Sequence, residues 1–380
     1  MVRFACAALA AGNAALLKHS PDTTGYALAV ERCSPTRCVH QRPDGGRRMS
    51  TLNPGLTPGK EPTMTSSPLN EFGITHLRHV DLAVPDYETQ RTFYRDTWGL
   101  TEVGSDGGLS YLAAEGSPER YVIRLRKADE KRLDLISFGA ADETAVDALA
   151  EKLVRDGIQL VSRPDKLQTA GAGYGFRFFD IDGRTIEVSA GVESRPHRRI
   201  EEGEAIPVRI SHAVMNSNDP NRTRDFYQQH LGFQLSDSLW SRHMGEMMHF
   251  LRCNDWHHSL AIARGPHTSV HHVSFEMRGL DEYMRGTGRV MRAGIRKVWG
   301  PGRHLAGNNT FSYFIDPSGN TMEYTTELER LETDQWHPTL YDIADPNVQD
   351  QWGTADPMSE LIAKESFNDP DRGVFVAPPV

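Results

Sequence analysis

The stretch "HAVMNSNDPNRTRDFYQQHLGF" (His212 to Phe233) aligns without a gap with "HVDLAVPDYETQRTFYRDTWGL" (His79 to Leu100), and His, Phe-Tyr and Gly fall at the same offsets in both. Each copy reads as strand, cap and helix. In the copy at His212, Asp219 suits the helix cap and Pro220 its first turn, while Gly232 lets the chain leave with positive φ. The copy at His79 ends the same way at Gly99. The closing elements repeat too. "LISFGA" at Leu135 matches "HVSFEM" at His272, and "DIDGRTIEV" at Asp180 matches "DPSGNTMEY" at Asp316. Two homologous domains of α+β texture follow, over residues 71–192 and 206–328, with a charged linker at 193–205 and a tail at 329–380 expected to pack on the outside.

Alternation along the strands of the second domain gathers ligand-type side chains. In "RISHAVMN" the two-residue period puts His212, Val214 and Asn216 on one face and Ala213 and Met215 on the other. In "HHVSFEM" it puts His272, Ser274 and Glu276 opposite Val273, Phe275 and Met277. In "NTMEYTT", Thr321, Glu323 and Thr325 oppose Met322 and Tyr324. Three strands thus each offer one ligand from the non-core face: His212, His272 and Glu323. Two imidazoles and one carboxylate form the facial triad that holds non-haem Fe(II) with positions left open. A single such residue is more often structural or solvated. The repeat sharpens the reading, because the matching positions of the first domain are His79, Leu135 and Glu187, and leucine cannot bind a metal. One half reads as a site and the other as its relic.

Elsewhere the sequence mostly excludes. The net charge of −9, without a long Lys/Arg run, lacks the basic stripe that nucleic acid requires. Of the four cysteines only Cys253 lies beyond the first forty residues, so no disulfide framework is written, and a reducing cytoplasm fits. Residues 1–70 mix Pro, Gly, Thr, Ser and Arg without periodicity and read as a disordered leader. Its apolar stretch, Phe4 to Leu17, is interrupted by Gly12 and Asn13 and is too short to cross a bilayer. With Arg3 ahead of it that stretch has a weak signal-peptide look, while Met49 and Met64 offer later starts.

On "SHAVM", "HHVSFEM", "DPSGNTMEY", "CNDWHHSLAIA", "GPGRHLAGNNTFSYF" and the domain repeat, the chain from Ile74 to Leu328 resembles the two-domain extradiol dioxygenases of the vicinal oxygen chelate superfamily. The resemblance implies that each domain is two βαβββ modules forming an open barrel around a cavity. It implies Fe(II), or less often Mn(II), on His212, His272 and Glu323, and extradiol cleavage of a catechol by O2 to a hydroxymuconic semialdehyde type of product. It further implies three catalytic residues. His258 would be the acid/base group and project into the pocket with Leu260 and Ile262. His304 would bond a substrate hydroxyl from a Gly-rich loop. Tyr313, nine positions later, would bond the catecholate oxygen. Small-molecule catechol and O2 are the implied partners, with no nucleic acid and no membrane, and relatives commonly form homo-oligomers.

His257 reads as a strand-end surface residue. His76, His230, His243, His249, His267 and His271 carry no functional expectation, and Cys253 reads as a small hydrophobe beside the site. Trp240, Met247, Met248 and Phe250 are expected to form an apolar wall for the ring substituent. Two rivals remain: a glyoxalase-type enzyme on the same fold, and a metal-free binding module of the bleomycin-resistance kind.

Overall fold

The computed structural model describes residues 70–377, apart from 197, 333–334 and 356–359. The leader expectation, with its apolar stretch, falls on residues outside the described ones, save Asn70, which is buried and donates from its side-chain amide to the Leu231 carbonyl at 2.9 Å.

The first half builds an eight-stranded sheet from β1 (Ile74–Val84), β2 (Thr101–Asp106), β3 (Leu109–Ala113), β4 (Ile123–Lys127), β5 (Arg132–Ala140), β6 (Leu160–Lys166), β7 (Tyr174–Phe179) and β8 (Thr185–Ala190), in the order β2-β3-β4-β1-β5-β8-β7-β6. The second half repeats that order with β9 (Pro207–Ser217), β10 (Gln234–Ser241), β11 (Gly245–Arg252), β12 (Leu260–Arg264), β13 (Ser269–Met277), β14 (Lys297–Arg303), β15 (Thr310–Ile315) and β16 (Thr321–Thr326), and adds β17 (Thr339–Asp342) beside β10. Helices α1 (Tyr87–Thr92), α2 (Glu143–Arg155), α3 (Pro220–Leu231) and α4 (Leu280–Arg292) follow β1, β5, β9 and β13. Each half is therefore two βαβββ modules, joined where β1 meets β5, and β9 meets β13, antiparallel. No helix among the described residues is long and apolar enough to cross a membrane.

Local chemistry explains the helix ends. The Asp86, Asp142 and Asp219 side chains each accept from a backbone N–H in the first turn of α1, α2 and α3. Pro220 opens α3, and Gly232 ends it at φ +68°, a conformation costly for other residues. The first copy differs in one respect. After Thr92 the helix widens into a π-helical turn, Phe93–Trp98, before Gly99 at φ +92°. Trp98 there is fully buried and stacks on Tyr324 of the other half at 3.9 Å, with Phe275 and Phe314 edge-on. Burial on that scale contributes roughly 3 kcal/mol and helps make the two halves share one core.

The repeated Phe-Tyr has a reciprocal use. The Tyr94 hydroxyl donates to Asp316 in the second half at 3.2 Å, and the Tyr227 hydroxyl donates to Asp180 in the first at 3.1 Å. Each aspartate opens the turn that ends in a glutamate-bearing strand. Asp316 Oδ1 accepts from the Ser318 and Asn320 backbones, and Asp180 Oδ1 from Asp182 and Arg184. Gly319 and Gly183 take φ +82° and +84° at the same step, as so tight a reversal requires. The repeated turn thus fixes two things at once: the register of β16 and β8, and the docking of one half on the other.

Candidate metal centre

Strand register brings the three ligand-type residues together. Ser274 on β13 lies opposite His212 on β9 and opposite Glu323 on β16, so His272, two residues before Ser274, shares their face. The ligand atoms of His212, His272 and Glu323 lie within 4.8 Å of one another, and all three side chains are buried. His212 Nε2 stands 3.0 Å and His272 Nε2 3.3 Å from the same oxygen, Glu323 Oε2.

The other ring nitrogens face away. His212 Nδ1 meets Ser211 Oγ at 3.1 Å, and His272 Nδ1 meets His271 Nδ1 at 2.7 Å. Both Nε2 atoms are thereby aimed inward. His272 Nε2 and Glu323 Oε1 are buried without a hydrogen-bond partner. Unsatisfied nitrogen and oxygen atoms converging on one point are costly unless something binds there, and a divalent cation satisfies them. Burial opposes the charge on Glu323, yet His212 and His272 outweigh it and hold the carboxyl far below its usual range. The donor set therefore fits a divalent iron or manganese.

Three further polar side chains surround this point. His258 precedes β12, with its ring 4.2 Å from that of His212 and 4.9 Å from Phe250. Tyr313 on β15 pairs in register with Glu323, and its ring stands 5.1 Å from His272. His304 lies just beyond β14, its Nε2 3.1 Å from the Tyr313 hydroxyl. His304 Nδ1 faces the Gln349 carbonyl at 2.9 Å. A carbonyl only accepts, so Nδ1 carries the hydrogen and Nε2 accepts from Tyr313. Burial pushes His304 down to about 4, and pushes His258 well below the ordinary imidazole value with help from neighbouring histidines. Burial and then Glu323 push Tyr313 well above 10. All three groups are therefore neutral near pH 7.

Some expectations need correction. Leu260 and Ile262 do not line the pocket with His258. They pair with Ala213 and Met215 and belong to the main core. The strand begins only at Leu260, so its alternation does not run back through Ser259 to His258. The pocket side of β12 is Ala261 and Ala263, which pack with Val214, Phe250 and Ala306. Met248 and Leu239 join this wall, whereas Met247 and Trp240 are not part of it. Tyr341 of β17, from the tail, also packs against it. Cys253 is buried in the core, where burial pushes its thiol up to about 12 and leaves it inert. His257 is fully buried, not a surface residue.

The equivalent point in the first half is closed by charge. Ser137 on β5 lies opposite His79 and Glu187, as Ser274 does in the second half, but Leu135 stands where His272 does. Arg177 occupies the register position of Tyr313, opposite Glu187, and its Nε donates to Glu187 Oε2 at 2.8 Å. Ser137 Oγ donates to the other oxygen at 3.0 Å, and His79 Nε2 stands 3.7 Å away. Arg177 was not anticipated. Sliding "GFRFFDIDG" along "FSYFIDPSG" puts Arg177 on Tyr313 and is the signal that finds it.

Comparison with known proteins agrees with this architecture. The family model described as Glyoxalase/Bleomycin resistance protein/Dioxygenase superfamily matches residues 76–188 and 209–324. Metapyrocatechase 2 of Cupriavidus necator is 29% identical over 74% of this chain and 89% of its own length. An iron-dependent extradiol dioxygenase of Rhodococcus jostii is 25% identical over 70% and 93%. Among solved structures, a Mn(II)-bound glyoxalase from Novosphingobium aromaticivorans superposes with a TM-score of 0.72 at 40% identity, covering 79% of this chain and 96% of that one.

Proposed function

The chain belongs to the Glyoxalase/Bleomycin resistance protein/Dioxygenase superfamily, and from that premise we propose that it is an extradiol dioxygenase, cleaving a catechol-type ring with O2 at a divalent iron or manganese held by His212, His272 and Glu323. The observation that carries this reading is the ring of three neutral proton-handling groups, His258, His304 and Tyr313, around a buried triad with unsatisfied ligand atoms. Metal chelation alone would not call for them.

When bound, the metal supplies the electronic link between a chelated catecholate and O2. The chain's own residues supply positioning and proton management. Neutral His258 offers a lone pair to take a proton from a substrate hydroxyl, and returns it as an acid later in the cycle. The Tyr313 hydroxyl has one hydrogen, given to His304 Nε2 in the free protein, and would turn it to a catecholate oxygen when substrate binds. Phe250 and the alanines of the wall exclude water and favour an apolar substituent on the ring. Both oxygen atoms enter the product as the carbon–carbon bond beside a hydroxyl opens. We place the enzyme in the cytoplasm, where iron stays ferrous, and expect a homo-oligomer, as is common among its relatives.

The test is anaerobic loading with Fe(II) or Mn(II), then a panel of substituted catechols and air, with oxygen uptake followed beside product absorbance. A yellow product with one O2 consumed per catechol is expected. The 40% identity to a protein named a glyoxalase favours a second reading, a metal-dependent isomerase. That reading predicts metal binding and turnover without oxygen uptake.

A further inference from the structure

His258 does not stand alone. Its Nδ1 lies 2.9 Å from His257 Nδ1, and His257 Nε2 lies 2.8 Å from Asp237 Oδ2. All three side chains are buried. The remaining carboxylate oxygen, Asp237 Oδ1, accepts from the Thr339 backbone N–H at 2.7 Å, because β17 pairs with β10 at that residue. His257 is held from several sides. Its own N–H donates to the Glu329 carbonyl at 2.8 Å, the Trp336 ring stands edge-on at 6.1 Å, and Gly307, at φ +79°, approaches so closely that a side chain there would press on Nδ1.

We propose that Asp237 and His257 are positioning residues that fix the tautomer of His258, so that its Nε2 presents a lone pair to the pocket. The step rests on which atoms are able to donate. An ionised carboxylate only accepts, so His257 Nε2 carries the hydrogen. In this assignment His257 has a single ring hydrogen, on Nε2, which leaves its lone pair on Nδ1, so the 2.9 Å contact is a hydrogen bond in which His258 Nδ1 donates. The hydrogen on His258 Nδ1 is thereby used on the side away from the site. This is the logic by which a buried acid orients a catalytic imidazole through its far nitrogen, extended here by one more histidine. The C-terminal strand takes part, since Thr339 occupies the second oxygen of Asp237 and leaves the first for His257.

The inference deepens the extradiol reading and rests on it for what His258 does, whereas the tautomer itself is measurable on the metal-free protein. Nitrogen-15 NMR of histidine side chains, with His258 assigned by substitution, is expected to find hydrogen on Nδ1 and none on Nε2. Hydrogen on Nε2 would overturn the proposal. Asp237→Asn is the sharper probe. Its one amide oxygen is claimed by the Thr339 N–H, so its NH2 faces His257 and reverses every donor in the chain. His258 is then expected to carry hydrogen on Nε2. The variant should keep its metal and its catechol KM, while kcat falls on the order of 100-fold or more, as a wrong tautomer does elsewhere. Asp237→Glu, which keeps the carboxylate, should recover part of kcat.

An unchanged tautomer, or an unchanged kcat in folded, metal-loaded Asp237→Asn, would overturn the proposal. If Asp237→Asn does not fold, His257→Phe replaces it. There the bond to His258 is absent and a mixture of tautomers is expected, so a single retained Nδ1–H form would refute the role of His257. A wild-type protein that binds metal but opens no catechol would sink the proposed function while leaving the tautomer result standing.

Discussion

The two halves of the molecule bury the same glutamate at the same point of the same topology and neutralise it differently. In the second half Glu323 faces two imidazole Nε2 atoms and keeps one oxygen without a partner, an arrangement that a cation from solution would complete. In the first half Glu187 faces Arg177, Ser137 and His79, and the cation is part of the chain. Burial opposes the charge on Glu187, but His79 and Arg177 outweigh it and hold the carboxyl down at about 2. His79 is itself raised. Burial opposes its charge, but Asp81 and Glu187 overcome that, with Asp81 Oδ1 2.8 Å from Nδ1 and Arg124 Nε 3.0 Å from the other Asp81 oxygen. The difference teaches that Leu135 at the ligand position goes together with an internal counter-charge. A buried carboxylate without a metal needs such a charge, and the tyrosine position is the one whose side chain reaches it.

The same substitution should therefore fail in two different ways. Glu323→Gln should abolish tight metal binding and lower ring-cleavage activity by more than about 100-fold, since even residues one shell further out cost 10- to 100-fold. Metal analysis and oxygen uptake on the folded protein check this. Glu187→Gln should leave metal content and activity nearly intact but strand Arg177 without its carboxylate, costing about 3 kcal/mol of stability, read from denaturant unfolding. If Glu187→Gln instead lost the metal, the assignment of site and relic would be reversed.

The comparison can also be run backwards. Leu135→His with Arg177→Tyr restores the ligand and removes the internal cation, leaving Asp81 to hold His79 Nδ1 while Nε2 faces Glu187. A rise in bound divalent metal from one to two equivalents per chain is expected, measured by elemental analysis after dialysis. Leu135→His alone should gain little, because Arg177 still occupies the carboxylate.

Much of this contrast was legible in the sequence. The gapless repeat from His79 and His212, with Asp and Gly at the turns, marked two homologous α+β domains, the βαβββ modules followed from the family resemblance, and alternation put His212, His272 and Glu323 each on the non-core face of its strand. Two kinds of feature were not legible. Histidines 257 and 258 are adjacent, and alternation assigns them opposite faces, but Ser259 breaks the phase ahead of Leu260, so both turn inward. Tertiary partners far along the chain were equally hidden. Thr339 meets Asp237, and Gln349 meets His304, only because the tail returns along β10 and the mouth of the second sheet. No local periodicity encodes that return.

The smallest effect expected from the comparison lies in acid. The Glu187 carboxyl sits at about 2 in the folded chain against an ordinary value near 4.5, so its folded-state value is depressed. The sign follows: its contribution to stability is fully present above pH 4.5 and is lost as pH falls through 2. A shift of that size is worth of order 3 kcal/mol, spread over that window. In urea unfolding of metal-free protein, wild type should weaken steadily from pH 5 towards pH 2.5, while Glu187→Gln, which has no carboxyl to protonate there, should weaken less over the same range. The metal-free state matters, because metal release from Glu323 in acid would otherwise overlay the effect. Equal slopes for the two proteins would mean that Arg177 does not hold the charge of Glu187, and the account of how the first half closed its site would have to be abandoned.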